Sequence, residues 1–168
     1  MRSGLAEVDR RVLLGGLGYW WQRDASFGLV ACDHLAAMEW QDGVDIRQLD
    51  YGALYVAQDL ADATPPYDRL VLVAGVERGR PPGRVYRRRW QGGLPGPDEI
   101  QERIREAGAG VIDVEHLLII AQHFGALPPD VVVLELEPVD ARGGDGLSPE
   151  ALDQLPRVVD LVRQEVNA

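Results

Sequence analysis

Apolar residues fall along this chain in two alternating patterns, short contiguous runs and longer stretches repeating every three or four positions. That alternation predicts strands interleaved with helices. Arg11 to Leu14 reads as a buried strand, ending where Gly15-Gly16-Leu17-Gly18 should turn the chain. Ser26 is placed to cap the next segment, FGLVACDHLAAMEW, whose apolar positions 27, 30, 31, 35 and 38 have helical spacing. Val44 to Leu49 alternates as a short strand, Ala53 to Leu60 reads as a helix, and Pro65-Pro66 breaks the pattern.

The run LVLVAGV at 70–76 is continuous and rich in β-branched residues, as expected of a central strand covered on both faces. After the GRPPG turn, RVYRRRW reads as the edge strand of a hairpin, with Arg84, Arg87, Arg88 and Arg89 forming a solvated face. PDEIQERIREAG has acids in its first turn, arginines in its last turns and glycine at its end, so it reads as an exposed helix with a thin apolar face. Asp113 can cap VEHLLIIAQHFG, and Pro128-Pro129 then leads into the strand VVVLELEP. Beyond the glycine-rich DARGGDG loop, Ser148 caps a final helix with Pro149 as its first residue and apolar positions 152, 155, 159, 162 and 166.

This order predicts the α/β class: a mainly parallel twisted sheet of about five strands between helical layers, with one antiparallel edge strand. Residues 1–10 are expected to be a flexible lead-in and residues 11–168 a single domain, a length that suits one hydrophobic core.

Charge and composition narrow the function classes. The net charge of -10 argues against general binding to nucleic acid or an anionic membrane. Every basic residue is arginine, a bias that reads as genome composition. Cys32, the lone cysteine, lies in an apolar stretch, which leaves no disulfide framework or thiolate metal site and fits a reducing cytoplasmic location. There is no secretory h-region, membrane-length apolar run, P-loop, GxSxG, HExxH or CxxC, and the GxG turn lacks the third glycine of a dinucleotide fingerprint.

Four landmarks in order carry a resemblance. GLG and the later acid and glycine of GLGYWWQRDASFG, residues 16–28, resemble the opening GxGN turn and acid-pair motif of the hydrogenase maturation endopeptidases, which trim the large subunit of nickel-iron hydrogenases. LDYG at 49–52 resembles their DGG turn, and YDRLVLVAGVERGRPPGRVYR resembles their third strand and its hairpin. LLIIAQHFGALPPDVVVLELEP and GLSPEALDQLPRVVDLV are the closest match, so the likeness runs from about Arg11 to Val166. It implies a three-layer α/β/α sandwich. It also implies a mechanism in which a carboxylate, an aspartate and a histidine bind nickel in the precursor large subunit, so that a C-terminal extension is removed only after nickel is loaded.

Carried over residue by residue, the resemblance puts the turn asparagine at Tyr19 and the first motif acid at Asp24. The three ligand positions fall at Ala25, Ala74 and Gly110, none of which offers the oxygen or nitrogen donor that nickel needs. Asp113 and His116, with Glu115, are the nearest substitutes for a rebuilt site, although Asp113 also reads as a helix cap and His116 as a packing or surface residue. Asp24 is either a retained catalytic acid or, as preferred, a structural group bonding backbone amides near the turn. Cys32 is expected in the core, and His34 and His123 as ordinary surface or packing residues.

The expected binding rim is Tyr19, Trp20, Trp21, Asp24, Tyr51, Gly52 and Glu77, because open α/β sheets bind ligands beyond the carboxyl ends of their strands. Three consecutive large aromatics on a loop cannot all point inward, and an exposed one is a favoured anchor for a protein partner. Two functions follow as expectations. One is a non-proteolytic binding or assembly factor for a hydrogenase large subunit or related metalloprotein. The other is an active endopeptidase with an altered metal site, or a metal-free carboxylate mechanism using Asp24. No cofactor is expected, and the partner's nickel would be engaged only by a rebuilt site; neither nucleic acid nor membrane is an expected partner.

Overall fold

The computed structural model describes residues 10–168. The lead-in expected at 1–10 therefore lies outside the described residues except for Arg10, whose guanidinium stands 3.4 Å from Asp130. The elements run β1 (Val12–Leu17), a 3-10 turn (Arg23–Ser26), α1 (Phe27–Ala36), β2 (Val44–Gln48), α2 (Ala53–Asp62), β3 (Arg69–Gly75), β4 (Val85–Arg89), α3 (Pro97–Gly108), α4 (Val114–His123), β5 (Asp130–Leu136) and α5 (Pro149–Asn167). Among the described residues these strands form one five-stranded sheet ordered β2-β1-β3-β5-β4. All neighbours pair in parallel except β4, which runs antiparallel to β5.

Strand periodicity sorts the core into two layers. Leu70, Leu72 and Ala74 of β3 face one way, onto Val56 of α2, Ala107 of α3 and Leu117 of α4. Val71 and Val73 face the other way, onto Phe27 of α1 and Val158 of α5. The result is the expected α/β/α sandwich, and the central strands are buried on both faces because both carry a helical layer.

Three local expectations change. Gly15 and Gly16 lie inside β1 instead of turning the chain. The reason is close packing: a Cβ on Gly16 would stand 2.2 Å from the Gly28 carbonyl oxygen, and one on Gly28 would stand 2.0 Å from that of Val73. These glycines let α1 lie directly against β1 and β3. Ser26 precedes α1 but makes no cap bond, because its hydroxyl donates to the Arg23 carbonyl at 2.6 Å. The expected hairpin is also absent: β5 inserts between β3 and β4, so the edge strand pairs with β5.

The caps on α4 and α5 form as read. Asp113 accepts from the His116 amide at 2.9 Å, and Ser148 accepts from the Ala151 amide at 3.2 Å. At the amino-terminal end of the sheet, buried Arg69 bonds Asp130 at 2.6 Å and Glu165 at 3.1 Å, fastening α5 to β3 and β5.

Candidate functional site

At the opposite end, the loops leaving β1, β3 and β5 surround a cleft of about 810 Å³, a size suited to a small molecule or short peptide segment. The carboxyl ends of the strands position it, as expected for an open parallel sheet. Ala25 and Ala74 are among the lining residues, and Leu17, Ile112, Val114 and Val139 add further apolar surface. Polar groups stand among them: Gln22, Glu77, Asp113, Asp140 and Arg142. Arg142 holds the Asp140 carboxyl well below its ordinary range, through its side chain and its own amide.

Asp24 does not face this cleft chemistry. It is fully buried, and its carboxylate accepts from the amides of Val139 at 2.9 Å, Asp140 at 3.1 Å and Ser148 at 2.7 Å, and from the Ser148 hydroxyl at 2.8 Å. The structural reading of Asp24 is thus the one its geometry fits, with one difference. The amides belong to the distant β5–α5 loop, so the acid locks that loop against the one following β1. Sequence reading recognised Ser148 as a cap and missed this second partner.

The aromatic trio divides. The Tyr19 hydroxyl accepts from the Ile112 amide at 2.8 Å, joining the loop after β1 to the α3–α4 loop at the cleft wall. Trp20 and Trp21 project to solvent, with 38% and 73% of their surface exposed. Tyr51 and Gly52 lie at the same end of the sheet, beyond β2, and Glu77 lines the cleft from beyond β3. The Tyr51 hydroxyl donates to Asp59 at 2.5 Å, and burial together with that carboxylate pushes its pKa up to about 12.

The residues at the implied ligand positions separate in space. Ala25 and Ala74 share the cleft, whereas Gly110 is not among its lining residues. Gly110 also has φ +101°, a left-handed conformation that a histidine would adopt only under strain. The substitutes fare no better as ligands. His116 is buried, with Nδ1 on Asp113 at 2.7 Å and Nε2 on Glu106, so both ring nitrogens are already engaged. It ties the end of α3 to the start of α4, the packing role among the two expected of it. Among the described residues no three His, Cys, Asp or Glu side chains are grouped to hold a metal ion. This donor set does not fit a nickel ion held from the protein's side.

Nearby acids outside the cleft are tied up by arginine. Glu135 stands in register with Ala74, one strand over, and bonds Arg78 and Arg88, each at 2.6 Å. Burial pushes its carboxyl up, but the two guanidiniums outweigh that and hold it below its ordinary value. Glu137 accepts from the amides of Arg78 at 2.9 Å and Arg80 at 2.7 Å. Arg84, Arg87 and Arg89 are exposed as expected and Arg88 is half-buried, but Arg87 and Arg88 also pair with buried Glu165 and Glu135. Their sequence signal was the acid in each partner element, which periodicity alone does not connect to β4.

Cys32 is core, its thiol pushed up to about 11 by burial, and His34 and His123 are exposed on their helices.

No protein-family model and no curated protein matches the chain. Solved structures do. The hydrogenase 2 maturation peptidase from Thaumarchaeota archaeon SCGC_AB-539-E09 is similar with 28% identity and TM-score 0.68, over 94% of this chain and 99% of that one. The hydrogenase maturating endopeptidase HybD from E. coli matches at 17% identity and TM-score 0.68, over 94% and 92% of the two chains. The NiFe hydrogenase maturation protease HybD from Thermococcus kodakarensis matches at 19% identity and TM-score 0.61, over 93% and 99%. The structural neighbours of this chain are hydrogenase maturation proteases, and it has their fold.

Proposed function

We propose that this member of the hydrogenase maturation protease group is a non-proteolytic binding or assembly factor for a nickel-iron hydrogenase large subunit or a related metalloprotein. One observation carries the reading. The cleft has methyl groups at Ala25 and Ala74, where the family resemblance calls for acids, while the motif acid beside them, Asp24, is consumed by four hydrogen bonds to the β5–α5 loop. A cleft of this kind offers shape and apolar surface to a peptide segment but lacks the donor set for a metal-directed cut. The buried thiol of Cys32 and the absence, among the described residues, of a helix long and apolar enough to cross a membrane fit work in the cytoplasm.

The test is to mix purified chain with the precursor large subunit, nickel-loaded and nickel-free. Calorimetry is expected to detect binding, and intact mass is expected to stay unchanged. Shortening of the precursor at one position would overturn the reading.

A second reading keeps peptidase activity, and the observation favouring it is that Glu77, Asp113 and Asp140 line one cleft. On that reading cleavage occurs and is lost on Asp113→Asn. Asp24→Ala is a poor discriminator, because it removes the fastening of two loops together with any chemistry.

A further inference from the structure

We propose that the outer edge of β4 is a docking strand, along which an extended acidic segment of a partner protein adds to the sheet. None of the β4 residues lines the cleft, so this edge stands or falls independently of what the cleft holds. β4 ends the sheet order on its side. In an antiparallel pair, residues alternate between those that exchange hydrogen bonds with the neighbouring strand and those whose N–H and C=O point away from it. The Glu137 amide donates to the Arg84 carbonyl and the Trp90 amide to the Val131 carbonyl, each at 2.9 Å. With Val85 opposite Leu136, these bonds mark Arg84, Tyr86, Arg88 and Trp90 as the positions turned to β5.

The amides and carbonyls of Val85, Arg87 and Arg89 therefore face outward, with no strand beyond them among the described residues. An extended segment laid along such an edge gains its affinity from main-chain hydrogen bonds, while side chains of both partners set the selectivity.

Charge selects the occupant, because the two faces of β4 are balanced differently. On the face of Arg88, three guanidiniums, Arg78, Arg80 and Arg88, meet three carboxylates, Glu115, Glu135 and Glu137. On the face of Arg87 and Arg89, four guanidiniums share two carboxylates: Arg87 reaches Glu165 and Arg89 stands 3.5 Å from Asp130, but Arg69 already bonds both acids and Arg10 stands 3.4 Å from Asp130. The Arg87 and Arg89 side chains leave 42% and 52% of their surface in solvent. Arg84, just before the strand, is exposed and makes no ion pair among the described residues. In a chain of net charge -10, this edge thus sets a local surplus of positive charge beside open backbone groups, which favours glutamate and aspartate on the incoming strand. The same arginines deter a second copy, since pairing two β4 edges about a two-fold axis at Arg87 would set arginine against arginine.

Fluorescence anisotropy tests this, with the full chain titrated into a short labelled peptide alternating glutamate and valine, and into the same peptide carrying lysine for glutamate. The acidic peptide is expected to bind, the lysine peptide about tenfold or more weakly, and rising salt to loosen the acidic complex. Hydrogen exchange is expected to slow on binding at the amides of Val85, Arg87 and Arg89. Arg89→Gln removes one charge and should weaken binding about threefold or more. Arg89→Pro also removes an outward amide while breaking no bond to β5, and should weaken it further. Thermal melts report whether both variants keep the fold; should the proline variant lose it, Arg89→Gln and the exchange pattern decide. No binding of the acidic peptide, unchanged exchange at those three amides, or unchanged affinity in Arg89→Gln overturns the docking strand. Equal affinity for the two peptides overturns the acidic occupant. A single-stranded oligonucleotide that binds through Arg89 more tightly than the acidic peptide replaces the protein partner with nucleic acid, and Arg89-dependent self-association in sedimentation runs replaces it with a second copy.

Discussion

The two sides of the loop following β1 follow opposite plans, and adjacent residues show it. Asp24 turns inward, where every hydrogen bond it accepts ties the β5–α5 loop to the cleft's edge. Ala25, partly exposed, lines the cleft. The same division recurs one strand away, where Ala74 lines the cleft while Glu135, at the same level of the sheet, is paired with Arg78, Arg80 and Arg88. At Ala25 and Ala74, then, the cleft is lined by alanine, while the acids beside them, Asp24 and Glu135, are spent on contacts that hold the rim in shape. The shape of a site and its chemistry depend on different residues, so a fold fixes the first without fixing the second.

The hardest blow to that division is Asp24→Ala. It strips the acceptor from three backbone amides and a hydroxyl at once and removes a fully buried carboxylate, and is expected to cost about 3 kcal/mol in a denaturant titration. A loss under about 1 kcal/mol would mean that the carboxylate is not the fastening it resembles.

The next test concerns Glu135. Its carboxyl is held below its ordinary value of 4.5 in the folded chain, so the stability it contributes is present above that value and is lost as pH falls through the lower folded one. Glu135→Gln is expected to cost about 2 kcal/mol at neutral pH. It should also flatten the loss of stability on acidification, as read from melts at falling pH. An unchanged acid slope would assign that slope to other carboxylates, Asp45 first, which its Tyr67 and Arg11 partners also hold low.

Ser148→Ala removes both the α5 cap and one bond to Asp24. It is expected to cost about 1–2 kcal/mol, less than Asp24→Ala because the backbone amides keep their acceptor. Combined in a double mutant with Asp24→Ala, the losses should fall short of their sum, since the two residues share a bond.

The sequence exposed the layers of this fold well and its polar contacts poorly, for a physical reason. Contiguous apolar runs such as 70–76 and capped helices such as that at Ser148 are local signals, and they form where expected. Pairing partners are non-local: nothing near Arg88 announces Glu135, and nothing near Asp24 announces Ser148, 124 residues away. Gly15-Gly16 misled for a related reason. Glycine is needed both where a chain turns and where a helix must approach a strand closely, and only packing distinguishes the two. The site was legible in part. Ala25 and Ala74 share a cleft as the resemblance implied, whereas Gly110 is not among the residues lining it, and Ile112 and Arg142 gave no signal at all.

The smallest expected effect is the most telling about the front of the loop. Ala25 is partly exposed and lies on an open cleft, so Ala25→Glu has room for a solvated carboxylate and should change stability by no more than about 0.5 kcal/mol. Its neighbour Asp24 is expected to be many times more sensitive, although one peptide bond separates them. If Ala25→Glu were instead to destabilise the chain by about 2 kcal/mol or more, the cleft floor would have to be packed tightly enough to matter for folding. The methyl there would then be a core residue, and its replacement of an acid would reflect stability rather than the loss of a cutting site. A tolerated glutamate leaves function as the reason for the alanine.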